Sequence, residues 1–172
     1  MSNFVVRPLV PKEIDVFYPL FATVVTEDFP EYKPQIDRIC LQIDTKAYYR
    51  GLYKKNEGVL MGAFDGEELA GFLVITKDIG GVGHFKWLGV EKLHRKQGIA
   101  SALLAAGEQW LLENKFHHLY FHTENMKNVE FYKRRGYEFV GLRKNSWFGV
   151  DEYLMQKQLR NTPFEEVFAK YK

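Results

Sequence analysis

Apolar positions along this chain fall into helical and strand periods that change from block to block. In NFVVRP, β-branched residues run up to Pro8, which cannot donate to a ladder, so the stretch predicts a short strand. From Pro11 onward Ile14, Phe17 and Phe21 recur at helical spacing, and Pro19 is expected to kink or end the first part of that helix. EDFPEYKP reads as a loop. Beyond it Ile36, Ile39, Cys40, Ile43 and Ala47 share one stripe, which predicts a second helix running to near Lys54.

After Glu57 the period shortens. Two apolar runs flank Asp65-Gly66, a hairpin signal because glycine accepts the positive φ of a tight turn, and Gly80-Gly81 allows a further reversal into VGHFKWLGV. Three antiparallel strands follow from this. Even alternation through the third puts His84, Lys86, Leu88 and Val90 on one side and Phe85 and Trp87 on the other. A helix from Gly98 to Glu113 carries Ile99, Leu103, Ala106 and Trp110 on one face, and FHHLYFH is a further short strand. NVEFYKRR predicts a helix stopping at Gly136, with Lys133, Arg134 and Arg135 suiting the negative end of its dipole. YEFVGLR and EYLMQKQL then close the sheet as a strand pair. A tail helix over about 163–171 starts from Thr162 and Pro163. The strand, helix, strand unit around Gly98 implies one right-handed parallel crossover in a mostly antiparallel sheet, an α+β (mixed α/β) domain.

Composition narrows the class. A chain of 172 residues, 46% hydrophobic and 27% charged, is expected to form one globular domain spanning 1–172. The 24 basic and 22 acidic residues nearly balance, which argues against a nucleic-acid partner, although Lys133, Arg134 and Arg135 form a local basic patch. Cys40 is the single cysteine, so no internal disulfide forms, and the sequence lacks a signal-peptide pattern or a run of about 18 apolar residues. A cytoplasmic protein without a membrane partner is expected. His118 and His122 lie four apart on one strand, roughly 13 Å, which is too far to chelate one ion, so no metal is expected. The sequence leaves room for a homodimer.

The densest chemistry lies in HRKQGIASALL. If a helix begins at Gly98, the amides of Gln97, Gly98, Ile99 and Ala100 lack helical acceptors and converge where the dipole adds positive potential. A diphosphate fits there, because Gly98 permits close approach, Ala100 keeps the turn lean, and Arg95 and Lys96 add charge. An ordinary solvated helix entry is the plainer alternative. Downstream, Asn125, Val129 and Tyr132 recur at helical spacing with Asn128 beside them, so amide groups and a phenol proton donor gather near one helix face.

These two motifs, in this order, resemble the GNAT acetyltransferase superfamily. The first is Arg95-Lys96-Gln97-Gly98-Ile99-Ala100 after the strand end Leu88-Gly89-Val90; the second is Asn125, Phe131-Tyr132 and Gly136-Tyr137. The resemblance covers Leu69 to Phe139. It implies a sheet whose parallel strand pair splays apart to admit acetyl-CoA, with no metal, and direct transfer of the acetyl group to a primary amine on a small molecule or peptide. Cofactor contacts would come from Leu88, Gly89, Val90, the stretch from Arg95 through Ser101, Asn125, Asn128, Phe131 and Tyr132.

The same resemblance makes Tyr132 the general acid for the leaving thiolate. Members with a carboxylate on the cofactor strand often place it six residues before the strand-ending apolar residue, which is His84 here. An imidazole is a candidate general base, and a water relay is the alternative. Glu27, Asp28 and Glu31 would border the acceptor pocket and select a cationic amine, and Tyr48, Tyr49, Trp147 and Phe148 are candidate lining residues. A non-catalytic acyl-CoA-binding sensor is the competing reading.

Overall fold

The computed structural model describes residues 4–162 and 164–169. In chain order it contains β1 (Phe4–Pro8), α1 (Ile14–Glu27), α2 (Pro34–Ile43), α3 (Lys46–Lys54), β2 (Gly58–Asp65), β3 (Glu68–Asp78) and β4 (Val82–Val90). There follow α4 (Ile99–Glu113), β5 (His118–Thr123), α5 (Met126–Lys133), β6 (Glu138–Arg143), β7 (Glu152–Gln158) and α6 (Phe164–Phe168). The strands form one sheet in the order β1-β2-β3-β4-β5-β7-β6, antiparallel throughout except for β4 and β5. This is the expected mixed α+β class.

Helices cover both faces. On one, Phe17, Phe21, Val24 and Tyr49 from α1 and α3 pack with Leu60, Phe72 and Trp87; on the other, Leu103 and Leu111 of α4 and Val129 of α5 pack with Leu73, Ile75, Phe85 and Phe121. The hairpins occur where glycine marks them, with Gly66 at φ 59°, Gly80 at 80° and Gly81 at 77°. The described part of the tail helix is Phe164–Phe168, and Pro163 and residues 170–171 of its expected span lie outside the described residues.

Three expectations are corrected. Pro19 neither ends nor splits α1, because its ring fixes a helical φ and costs one hydrogen bond, while Phe17 and Phe21 on either side are fully buried. The long second helix is two, since the backbone leaves the helical region at Asp44 (ψ 60°) and Thr45 caps α3 by accepting from the Tyr48 amide at 3.1 Å. In α4 the buried face is Ile99, Leu103, Leu104, Gly107 and Leu111, leaving Ala106 and Trp110 half-buried. Gly107 is what a count of apolar side chains passes over. A Cβ there would lie 2.6 Å from Leu73 Cδ2 and 3.0 Å from the Phe85 ring, so the glycine sets how closely α4 approaches β3.

The alternation along β4 also breaks. The register with β3 runs Val74↔Trp87 and then Ile75↔Phe85, leaving Lys86 as an extra residue in a bulge. Phe85 therefore joins the core under α4, whereas Trp87 joins the core under α1. Leu88 and Val90 follow Phe85, and Lys86 turns with Trp87 toward α3, where its ammonium meets Asp44 and Tyr48.

Candidate active site

Pairing between β4 and β5 spans only Val82↔His118, Gly83↔Leu119 and His84↔Tyr120. Beyond His84 the strands separate, so the edge of β4 that faced β5 has no strand partner there, and a cavity of about 470 Å³ opens in the fork. Its walls include Leu88, Gly89 and Val90 of β4, Phe121 of β5, and Asn128 and Tyr132 of α5. Gly89 has no room for a side chain, since a Cβ would sit 2.6 Å from the Phe72 ring and 2.9 Å from Val24 Cγ2. Arg95 Nε donates to the Val90 carbonyl at 3.0 Å, which satisfies one of the released backbone groups.

A second cavity, of about 510 Å³, adjoins the first at Val90 and Arg95 and is lined by Gly98, Ala100, Ser101, Phe131 and Arg135. Gly98 caps α4 in the left-handed region (φ 88°), and Lys96 is left-handed too (φ 61°). Ala102 is the first residue whose amide reaches a helical acceptor, Gly98 O at 3.0 Å. The amides of Ile99, Ala100 and Ser101 therefore lack helical acceptors at the positive end of a fifteen-residue helix. A Cβ at Gly98 would meet nothing within 4 Å, so the strained φ rather than crowding calls for glycine there.

Arg135 completes this cradle, and its role is not legible in the sequence, where it reads as a dipole-compensating cation in a local basic patch. Nε and an Nη donate to Ser101 Oγ at 2.8 and 2.6 Å, the other Nη donates to Phe131 O at 2.7 Å, and the guanidinium lies 3.5 Å over the Phe131 ring. With its oxygen so engaged, Ser101 keeps its own proton free to donate outward. Gln97 folds back to donate to Leu93 O at 3.3 Å. Phe131 and Tyr132, adjacent on α5, thus face different chambers: Phe131 lines the cradle and Tyr132 the fork.

The model of the acetyltransferase (GNAT) family matches residues 21–137, more than half of the chain. The chain belongs to the GNAT family. No curated protein matches the sequence. Among solved structures, Ard1 from Thermoplasma volcanium is similar at 19% identity and TM-score 0.70, over 94% of this chain and 100% of that one. The PaiA N-acetyltransferase from Thermoplasma acidophilum, solved in complex with coenzyme A, is similar at 14% identity and TM-score 0.73, over 91% and 99% of the two chains. The ribosomal-protein-S18-alanine N-acetyltransferase from Escherichia coli shares 14% identity at TM-score 0.69, over 94% and 97%. At these identities the likeness is one of fold.

Within this GNAT fork, Tyr132 packs edge-on against Phe121 (4.5 Å) and Tyr137 (5.8 Å), and its hydroxyl makes no hydrogen bond among the described residues. Burial, reinforced by the nearby Glu124 charge, pushes its pKa well above the usual phenol value, so it holds its proton. Asn128 Nδ2 donates to Thr123 Oγ1 at 3.1 Å on the fork wall, while Asn125 caps α5 through Lys127 N at 2.9 Å. His84 sits where the fork closes, stacked on Tyr120 at 4.8 Å with Nδ1 3.2 Å from Thr76 Oγ1. Burial lowers its pKa to about 4, leaving a neutral ring at pH 7.

The acidic loop between α1 and α2 is strapped across the fork by internal partners. Glu27 pairs with Lys92, Asp28 with Arg95, and Glu31 Oε1 accepts from Asn125 Nδ2 at 2.8 Å. Glu27 and Asp28, read as selectors of cationic acceptors, are thus paired with cations of the chain, whereas Glu31 is held by a neutral amide. Of the aromatic candidates, Trp147 lines the fork, Tyr49 is fully buried core, Tyr48 packs under the Lys86 ammonium, and Phe148 points outward, 51% exposed.

Sequence reasoning missed Glu124, a half-buried carboxylate at the end of β5 that faces the fork. It accepts from Tyr32 Oη at 2.9 Å, and burial raises its pKa, with the neighbouring charges of Glu152 and Glu31 acting the same way. One carboxylate beside a helix cap gives no sequence signal of this position.

Proposed function

We propose that this chain is an acetyl-CoA-dependent N-acetyltransferase that passes the acetyl group directly to a primary amine, with no covalent enzyme intermediate. The observation that carries the reading is the placement of α5. Its Tyr132 turns an unpartnered, protonated hydroxyl into the fork, while Phe131 one residue earlier lies against the amide-lined cradle. Proton donor and one wall of the anion seat thereby share one rigid element.

Bound acetyl-CoA supplies the acetyl thioester. Ile99, Ala100 and Ser101 amides, with Arg135 behind Ser101, hold its pyrophosphate, and Asn128 and the free edge of β4 at Leu88 and Val90 hold the pantetheine arm and the carbonyl as fixed dipoles. Arg95, bound to Asp28 and to Val90 O, shapes the boundary between the two chambers. Tyr132 protonates the departing sulfur. His84 stacks on Tyr120 and lies against Thr76 where β4 and β5 are still paired, and we assign it to closing the fork.

A thiol-release assay with acetyl-CoA across amines, amino acids and peptides tests this reading. Turnover with at least one amine is expected, and Tyr132→Phe is expected to lower kcat by about 100-fold or more while acetyl-CoA affinity stays put. A non-catalytic acyl-CoA-binding sensor would bind acetyl-CoA and release no thiol with any acceptor. Equal loss of turnover and affinity in the variant would remove Tyr132 as the acid.

A further inference from the structure

Charge compensation in the fork singles out one group. Four carboxylates line it: Asp28 pairs with Arg95, Asp44 with Lys86 and with Trp87 Nε1 at 2.9 Å, and Glu152 with Ser146 Oγ at 2.6 Å and Arg143 at 3.5 Å. Glu124 alone has no Lys or Arg in ion-pair range among the described residues, and its one side-chain partner is the Tyr32 hydroxyl. An anion set into a half-buried wall with only neutral donors, the Tyr32 hydroxyl and a backbone amide, is short of a cation.

The wall around it is aromatic. Phe29 and Tyr32 stack at 4.8 Å with planes 10° apart, Trp147 lies 5.3 Å from Tyr32, and Trp87 meets Phe29 edge-on at 5.5 Å; all four line the fork. Such surface binds an apolar ring body and tolerates a cation at its edge. A second anionic group on the ligand would face Glu124 and Glu152 together.

Resting on the acetyl-transfer reading above, we propose that Glu124 seats the acceptor's ammonium group and takes its proton, and that the acceptor is a primary amine on an apolar, ring-bearing body with no carboxylate beside the amine. Tyr32 aims the carboxylate. A carboxyl pushed upward by burial is better matched to an ammonium group than an exposed one, and the seated cation supplies the missing charge partner. One proton passes from the ammonium to Glu124 and on to water. The nitrogen lone pair then forms the N–C bond as the C–S bond breaks, with its electron pair leaving on sulfur. Sulfur takes the Tyr132 proton, and the second nitrogen proton restores Tyr132. Amide, thiol and one released proton balance the step.

The test uses the full chain with phenethylamine and phenylalanine as probes. Calorimetry without acetyl-CoA should show phenethylamine binding to the wild type and at least about tenfold weaker binding to Glu124→Gln, whose amide still accepts from Tyr32. Phenylalanine should bind more weakly than phenethylamine. Thiol release with phenethylamine should fall about 100-fold or more in kcat/KM in the same variant, with acetyl-CoA affinity unchanged as the check on folding. Unaltered phenethylamine binding in Glu124→Gln, no binding to the wild type, or a preference for phenylalanine overturns the proposal. If binding behaves as expected but no amine releases thiol, the acetyl-transfer reading fails and the ammonium seat stands.

Discussion

Tyr32 Oη donates to Glu124 Oε1 across 2.9 Å, joining two residues 92 positions apart. Beside it Asn125 Nδ2 holds Glu31 at 2.8 Å, so the loop after α1 is fastened twice to the junction of β5 and α5. Its other end is fastened to the cofactor side through Glu27–Lys92 and Asp28–Arg95. Tyr32→Phe should leave Glu124 without its donor, at a cost of about 1 kcal/mol in stability, and should lower acceptor kcat/KM more than it alters acetyl-CoA affinity. Thermal unfolding and steady-state kinetics on one preparation check both.

Gly98→Ala and Gly98→Glu both force a side chain into φ 88°, so each should lose roughly 1–2 kcal/mol of stability, with little added steric cost because no protein atom lies within 4 Å of the new Cβ. Their cofactor binding should differ. The glutamate places a carboxylate where three amides await an anion, and calorimetry should find acetyl-CoA affinity reduced much further than in the alanine variant.

Arg135→Ala removes both donors to Ser101 and the cation over Phe131. Acetyl-CoA Kd should rise about tenfold, while kcat at saturating cofactor holds because Tyr132 is untouched. Arg135→Lys should restore only part of the loss, since an ammonium lacks the planar fork with which the guanidinium makes two bonds to Ser101 and one to Phe131 O. Titrations at two salt concentrations should show a weaker salt dependence in the alanine variant.

Two buried titrations give stability opposite slopes. His84 is lowered to about 4 by burial, so between that value and about 6.5 the unfolded chain binds more protons and stability rises with pH. Glu124 is raised, so its folded form prefers the proton and stability falls as pH climbs past the ordinary carboxylate value. His84→Gln should flatten the rise between pH 4 and 6.5. Glu124→Gln should unfold at a higher temperature than the wild type at pH 7 while losing acceptor turnover. Melting temperatures across pH 4–8 for the three proteins measure both signs.

Gly107→Val should destabilise by about 1–3 kcal/mol, because the added methyls enter space held by Leu73 and the Phe85 ring. Denaturant titration measures the loss; acetyl-CoA affinity, set one turn and more away, serves as the control.

Local glycine chemistry made much of this fold legible. Gly66, Gly80, Gly81, Gly98 and Gly136 all carry a positive φ, and each marks a turn or helix end expected from the sequence. What stayed hidden depends on partners remote in the chain. The bulge at Lys86 leaves no trace in an apolar pattern, so even counting placed Phe85 and Trp87 on one face when they lie on two. At the Asp44-Thr45 break the Thr45 hydroxyl caps α3 and the Asp44 carboxylate reaches Lys86 and Trp87 on β4, which a stripe of isoleucines does not register. Of the candidate site, Gly98, Phe131 and Tyr132 carried motif signals. Glu124 and Arg135 did not, because their significance comes from Tyr32, Ser101 and Phe131 rather than from sequence neighbours.

The loop from Glu27 to Tyr32 leans at one end on the boundary of the cofactor chamber and at the other on the acceptor wall. Thermodynamic linkage makes any dialogue through it symmetrical: the factor by which acetyl-CoA changes affinity for the amine is the factor by which the amine changes affinity for acetyl-CoA.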